Sequence, residues 1–151
     1  MDEGQRTPTL SIDSKKCTGC RVCEQICTFS HEREFNPRRA RIRILMREKE
    51  GINAPLLCRQ CKQCLSACKR DALSWDEGIS VVRVDRDKCN GCGLCIEACA
   101  YAAIQKDPVT KKVNICDLCN GDPQCVKWCT AAVLSLTGGV RDASQSETTN
   151  R

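Results

Sequence analysis

Aromatic residues are nearly absent from this chain of 151 residues: two Phe, two Trp and one Tyr. Large rings normally dominate the apolar packing of a domain this long, so Phe29, Phe35, Trp75, Tyr101 and Trp128 cannot organise an ordinary core. Trp75 and Trp128 read as packing residues. Histidine is reduced to His31, which leaves no Ser–His or Cys–His arrangement for nucleophilic catalysis. His31 itself reads as a surface or hydrogen-bonding residue. No G-x-G-x-x-G fingerprint, P-loop or flavin-type signature is present, so the chain cannot itself accept a hydride. The longest apolar runs are a few residues, far below the about 20 needed to span a membrane. Met1 to Pro8 lacks a basic region, an apolar stretch and a small-residue cleavage site. The expectation is a cytoplasmic chain whose thiols stay reduced.

What is abundant is cysteine, sixteen residues in four groups of four. Three groups share the spacing C-x2-C-x2-C-x3-C: Cys17, Cys20, Cys23, Cys27; Cys58, Cys61, Cys64, Cys68; and Cys89, Cys92, Cys95, Cys99. The fourth, Cys116, Cys119, Cys125, Cys129, keeps both ends of the pattern but lengthens the gap before its third cysteine by three residues. This is the bacterial iron–sulfur run. Three cysteines at that spacing wrap a loop around one cubane, and the fourth, on the following helix, points away and ligates a neighbouring cluster. Sixteen thiolates suffice for four 4Fe-4S clusters. With a cysteine on every iron no position is open to substrate, which favours electron transfer over catalysis.

Zinc is the main alternative for any one group, because four thiolates also suit a tetrahedral structural site. Zinc sites, however, usually use two separated C-x2-C knuckles. A zinc-binding interaction module therefore stands as the reading from another class, and an autonomous iron–sulfur enzyme as a third. The formal charge of +5 treats every cysteine as neutral. Each oxidised cluster with four thiolates counts about −2, which brings the total to roughly −3. The basicity is mostly compensation, and no nucleic-acid partner is expected. With so few large apolar side chains the clusters must serve as the core, and the metal-free chain should not fold.

Alternating apolar and polar residues predict a strand over 10–15 entering the first group and another over 131–137 leaving the last. Hairpins are predicted at 72–85 and 103–115 by their turn residues. Short helices carry the x3 end of each motif, because residues four apart share a helix face. Strand, cysteine run, hairpin, cysteine run and strand make one two-cluster unit. Residues 52–105 contain a whole one, and 10–51 with 106–137 supply the two ends of another. The predicted fold is therefore α+β, with tandem (nested) bacterial two-cluster ferredoxin-like units and a mobile tail over 138–151. Between the first two motifs lies a basic connection including Arg33, Arg38, Arg39, Arg41, Arg43, Arg47 and Lys49. The alternation over Arg39–Leu45 suits an edge strand or a docking surface for an acidic partner face.

The chain resembles the four-cluster, ferredoxin-like small subunits of tungsten and molybdenum oxidoreductases, especially those of aldehyde oxidoreductases, with relatives in hydrogenase, formate and carbon monoxide dehydrogenase complexes. The resemblance covers residues 10–137. It rests on Cys17-Thr18-Gly19-Cys20-Arg21-Val22-Cys23, on Asn36-Pro37 before an Arg/Ile-rich strand, and on the run from Cys116 through Asn120-Gly121-Asp122-Pro123 to Cys125-Val126. It implies that the outer motifs pair with each other and the inner ones together. The first cluster then takes Cys17, Cys20, Cys23 and Cys129, and the second Cys27, Cys116, Cys119 and Cys125. The third takes Cys58, Cys61, Cys64 and Cys99, and the fourth Cys68, Cys89, Cys92 and Cys95. The proline usual after the fourth cysteine is replaced by Thr28, Lys69, Ala100 and Thr130. The implied role is an electron relay between a large pterin-containing catalytic subunit and a flavin/NAD(H) subunit or a soluble ferredoxin. Clusters near both ends also leave room for copies to stack.

Overall fold

The computed structural model describes residues 9–137, and the predicted tail over 138–151 lies outside them. The architecture is the α+β one expected. Four helices alternate with four two-stranded antiparallel sheets, and each sheet is one pair of strands. Strand β1 (Thr9–Ile12) pairs with β8 (Leu134–Thr137), so that Ile12 faces Leu134 and the first and last motifs are brought together. The first strand stops short of the predicted range because Ser14–Lys16 tightens into a 3-10 turn before Cys17.

Strands β2 (Arg43–Arg47) and β3 (Ile52–Leu56) form a hairpin, with Ile44 opposite Pro55. The sequence reading had β2 as an edge strand and gave it no partner. Gly51 closes the turn of this hairpin and Ile52 already pairs with Arg47, so β3 pairs outside the 52–105 segment. Strands β4 (Leu73–Asp76) and β5 (Val81–Val84) form the third sheet. The fourth, β6 (Gln105–Lys106) with β7 (Val113–Asn114), is only two residues long on each side.

Three helices are single turns: α2 (Gln63–Ala67), α3 (Leu94–Glu97) and α4 (Gln124–Lys127). After each comes the fourth cysteine of its motif, then a turn whose third residue, Asp71, Ala102 or Ala132, is left-handed at φ +49, +49 and +50°. Helix α1 (Val22–Glu32) runs on for eleven residues and ends at left-handed Arg33, whose N–H bonds Phe29 O at 3.1 Å. The wholly buried Glu24 fastens α1 to the hairpin. Its carboxylate accepts from Arg21 Nε at 2.7 Å and from Ile44 N at 2.7 Å.

Two small cores result. One gathers Leu10, Ala40, Ile42, Leu57, Val81, Leu118, Val133 and Leu134 around Cys27 and Cys125. The other gathers Leu73, Val82, Ala103, Ile104, Val113 and Ile115 around Cys58, Cys64 and Cys95. Neighbouring Val81 and Val82 point to opposite faces of β5, as strand geometry requires, and each is buried in a different core. Cys116 packs against both. Phe35 and Trp128 are 68% and 57% exposed, so Trp128 is not the packing residue predicted. Among the described residues no helix is long and apolar enough to cross a membrane.

Candidate metal centres

Each motif opens with the same backbone path. The residue before the second cysteine is left-handed in all four: Gly19, Gln60, Gly91 and Leu118 at φ +72, +55, +68 and +54°. So is the residue after it: Arg21, Lys62, Gly93 and Asn120 at φ +60, +66, +91 and +59°. Such alternation turns successive amide N–H groups inward and builds a concavity for an anion. Five of these residues are not glycine and hold a conformation that costs on the order of 1 kcal/mol each, which marks these loops as sites where structure is held for function. The fourth motif keeps both left-handed flanks but makes Cys119 between them left-handed too, at φ +49°, and its inserted residues lengthen the approach to Cys125.

Around these loops the structure places four small cavities, each lined by four cysteines. Cys17, Cys20, Cys23 and Cys129 line one, roofed by Ile44 and Pro55 of the β2–β3 hairpin. Cys27, Cys116, Cys119 and Cys125 line the second, with Leu10, Leu57 and Pro123. Cys58, Cys61, Cys64 and Cys99 line the third, and Cys68, Cys89, Cys92 and Cys95 the fourth. Cys20, Cys61 and Cys92 are exposed, whereas no cysteine of the second quartet is. None of the sixteen cysteines is in a disulfide.

The donor set fits a metal cluster. Burial first, then neighbouring thiols and acids, pushes Cys23 and Cys64 up to about 12. Burial does the same to Cys125, helped by Cys27, Cys119 and, from the first quartet, Cys23. Cys58 rises to about 11. Cys116 is pushed well up by burial, then by Cys125, Cys27 and, from the third quartet, Cys58. Thiols so crowded ionise only against a cation, and metal binding supplies it while releasing their protons. Backbone donors wait on the sulfurs: Gln60 N lies 3.3 Å from Cys58 Sγ, Ala103 N 3.5 Å from Cys99 Sγ, and Val133 N 3.3 Å from Cys129 Sγ. In the last two cases the donor is four residues beyond the fourth cysteine. Helix α1 occupies that place after Cys27, and Arg41 N of the connection serves instead at 3.3 Å. Such donors stabilise added negative charge and raise reduction potentials.

His31 is a hydrogen-bonding residue, as read from the sequence. Its Nδ1 lies 2.8 Å from Cys27 O and its Nε2 3.0 Å from Asp117 Oδ1. Burial works against its charge, but the Asp117 and Cys27 contacts prevail and raise it to about 9. Arg41 also reaches Asp117, at 2.7 Å. Side-chain atoms of His31, Asp117 and Cys119 lie within 4.8 Å of one another, but Asp117 is already engaged by His31, Arg41 and Arg83.

The basic connection is not the uniform docking face its arginines suggested. Arg39 is buried, held by Asp107 at 2.9 Å, Glu32 at 2.9 Å and Glu34 at 3.0 Å. The side chain of Arg41 is only 14% exposed. Glu32 and Glu34 are close by in sequence, but Asp107 and Asp117 lie in distant parts of the chain, which no local alternation reveals. Arg43 and Arg47 remain exposed on β2. Sequence reasoning also missed Gln60, Glu24 and Asn53, the last of which donates to Cys17 O at 3.4 Å and covers Gly19.

Residues 57–103 match the 4Fe-4S dicluster domain family, and residues 14–30 a 4Fe-4S binding domain. The chain is 41% identical over 134 residues to the polyferredoxin-like subunit of aliphatic sulfonate oxidoreductase from Pyrococcus furiosus, covering 87% of this chain and 76% of the relative. It is 32% identical over 150 residues to the electron transport protein HydN of Escherichia coli, covering 83% and 85%. Similarity to the beta subunit of NADH-dependent phenylglyoxylate dehydrogenase from Aromatoleum evansii reaches 36% identity over 87% of this chain, which spans 30% of that longer protein. Among solved structures, a chain of the active site complex BamBC of benzoyl coenzyme A reductase superposes with a TM-score of 0.53 at 26% identity, over 86% of this chain and 78% of that one.

Proposed function

Because the chain belongs to the 4Fe-4S polyferredoxin-like electron-transfer subunits of oxidoreductase complexes, we propose that it relays electrons between a tungsten or molybdenum pterin catalytic subunit and a second redox partner. The four cysteine-lined cavities carry this reading. We assign one 4Fe-4S cluster to each: Cys17, Cys20, Cys23, Cys129; Cys27, Cys116, Cys119, Cys125; Cys58, Cys61, Cys64, Cys99; and Cys68, Cys89, Cys92, Cys95. Bound there, each cluster takes up and gives back one electron.

The chain's own residues do the rest. The left-handed loops aim amides at the quartets, and the cores exclude water from them. The first and second quartets share one core and the third and fourth the other, Cys116 packs against both, and Gln60 links Cys116 to Cys58, which supports the order first, second, third, fourth. Exposed Cys20 and Cys92 then mark points of access at the two ends, with a further opening at exposed Cys61 of the third quartet, while the second quartet is interior. Four thiolates per cluster leave no place for substrate, so the chain is a relay and not an enzyme. The nested arrangement also stands as a proposal, supported by the β1–β8 pairing and the two cores. Because β3 pairs with β2, we place the joint nearer residue 57 than 52.

The catalytic partner we assign acts on aldehydes, on the resemblance carried by the stretched fourth motif. A relative named for an NADH-dependent dehydrogenase supports a nicotinamide-linked second partner. Iron and acid-labile sulfide near sixteen each per chain, with absorbance bleached by dithionite, are the expected results, and stoichiometric zinc would overturn the cluster assignment. Anaerobic pull-down from the native host should recover a large pterin-containing subunit. Recovery of a hydrogenase, formate or carbon monoxide dehydrogenase subunit instead replaces the aldehyde assignment and leaves the relay standing.

A further inference from the structure

Gln60 is buried, 6% exposed, and carries a left-handed backbone at φ +55° where a glycine would be unstrained. In the first and third motifs the same position is Gly19 and Gly91. A glutamine kept there at a backbone cost must be using its side chain. That side chain spans the boundary between the two cores. Its Nε2 donates to Cys116 O at 2.7 Å, its Oε1 accepts from Val82 N at 2.9 Å, and its own backbone N–H points at Cys58 Sγ at 3.3 Å. Cys58 belongs to the third quartet and Cys116 to the second, and Cys116 packs against both cores. Nothing at the corresponding positions of the other motifs makes such a bridge: Gly19 and Gly91 have no side chain, and Leu118 is an apolar core residue.

We propose that Gln60 is the junction residue of the relay, a positioning residue that fixes the spacing between the second and third clusters and so joins two pairs into one chain of four. This rests on the cluster assignment above. Gln60 gains or loses no bond, proton or electron. It holds Cys58 against the backbone of Cys116 while one electron passes from the reduced site to the oxidised one. The pair of Arg39 with Asp107 also joins elements of the two cores, next to Ala40 of one and between Ile104 and Val113 of the other, but it involves neither Cys58 nor Cys116 and supplies cohesion only.

The test uses the full-length, iron-loaded protein and three variants. Gln60→Asn suits a left-handed residue better than glutamine does, so it should load iron, but it is shorter by about 1.5 Å and cannot bond both Val82 and Cys116. Gln60→Met keeps the length and removes both side-chain bonds. Asp107→Asn loosens the packing of the two cores against each other without touching the junction. Electron paramagnetic resonance during stepwise reduction reads the magnetic interaction among the clusters. With unchanged iron content, Gln60→Asn and Gln60→Met should lose the broadening that links the two halves and leave two independently coupled pairs, while Asp107→Asn keeps the wild-type spectrum despite a lower melting temperature. A wild-type interaction in either Gln60 variant overturns the proposal. So does an equal loss in Asp107→Asn, since Gln60 would then be ordinary packing. Zinc or missing iron in the unaltered protein is a different failure, that of the cluster assignment itself.

Discussion

At the scale of single residues, the quartets depend on backbone positions more than on the cysteines' neighbours in sequence. Gly91 shows how narrow the tolerance is. A Cβ built there, at φ +68°, would stand 1.9 Å from the carbonyl oxygen of Lys111, a backbone atom that cannot swing aside. Gly93, two residues on, is left-handed at φ +91° but has nothing within 4 Å of a built Cβ. The two alanine variants should therefore separate strain from collision. Gly93→Ala should load fully and lose about 1 kcal/mol of stability to its backbone conformation. Gly91→Ala should push the third motif's loop off the β6–β7 turn, and iron analysis should find about four fewer atoms per chain. Full iron in Gly91→Ala would mean that the loop can move away from Lys111 without cost.

At the scale of elements, the connection between the first and second motifs behaves as two devices. Its first half, through Arg41, is an internal clamp, and its second half is a hairpin roofing the first quartet. Glu24 secures that roof, because removing its carboxylate leaves Ile44 N–H buried without an acceptor. Glu24→Ala should cost about 2 kcal/mol, read as a lower unfolding midpoint together with faster loss of iron to a chelator. The arginines divide in the same way. Arg41→Glu places a carboxylate against Asp117, so it should impair cluster assembly. Arg43→Glu, on an exposed strand face, should leave iron content intact but weaken capture of the catalytic subunit and its salt sensitivity. If Arg43→Glu co-purifies as well as the native chain, β2 is not part of the docking face. This division was invisible in the sequence, because Glu32, Glu34, Asp107 and Asp117 become partners of Arg39 and Arg41 only after folding. The cysteine runs and the hairpins at 73–84 and 105–114 were legible because spacing and alternation are local properties. The partner strand Ile52–Leu56 was not: it contains Pro55 and follows a charged turn, both of which read as punctuation. Gln60 was missed for a related reason, since one glutamine inside a cysteine run carries no periodic signal.

At the scale of the whole molecule, little but the metal can hold the chain together. Helices of four or five residues are far below the length that is stable alone, and isolated two-stranded hairpins are marginal in water. The two cores are built from aliphatic side chains and cysteines, with no aromatic ring among their buried members. The cavities assigned to clusters lie between separate elements: the first between β8, the first loop and the β2–β3 hairpin, the second between α1, α4 and the first strand. Stripping the clusters would leave those walls around a void and a set of crowded, neutral thiols. Removal of iron by a chelator under reducing, anaerobic conditions should therefore abolish the far-ultraviolet circular dichroism of both segments, with no folded remainder. Reconstitution with iron and sulfide should restore it. A chain that keeps its native spectrum after iron analysis reads zero would show that the aliphatic cores suffice, and would sink the view that the clusters are the core.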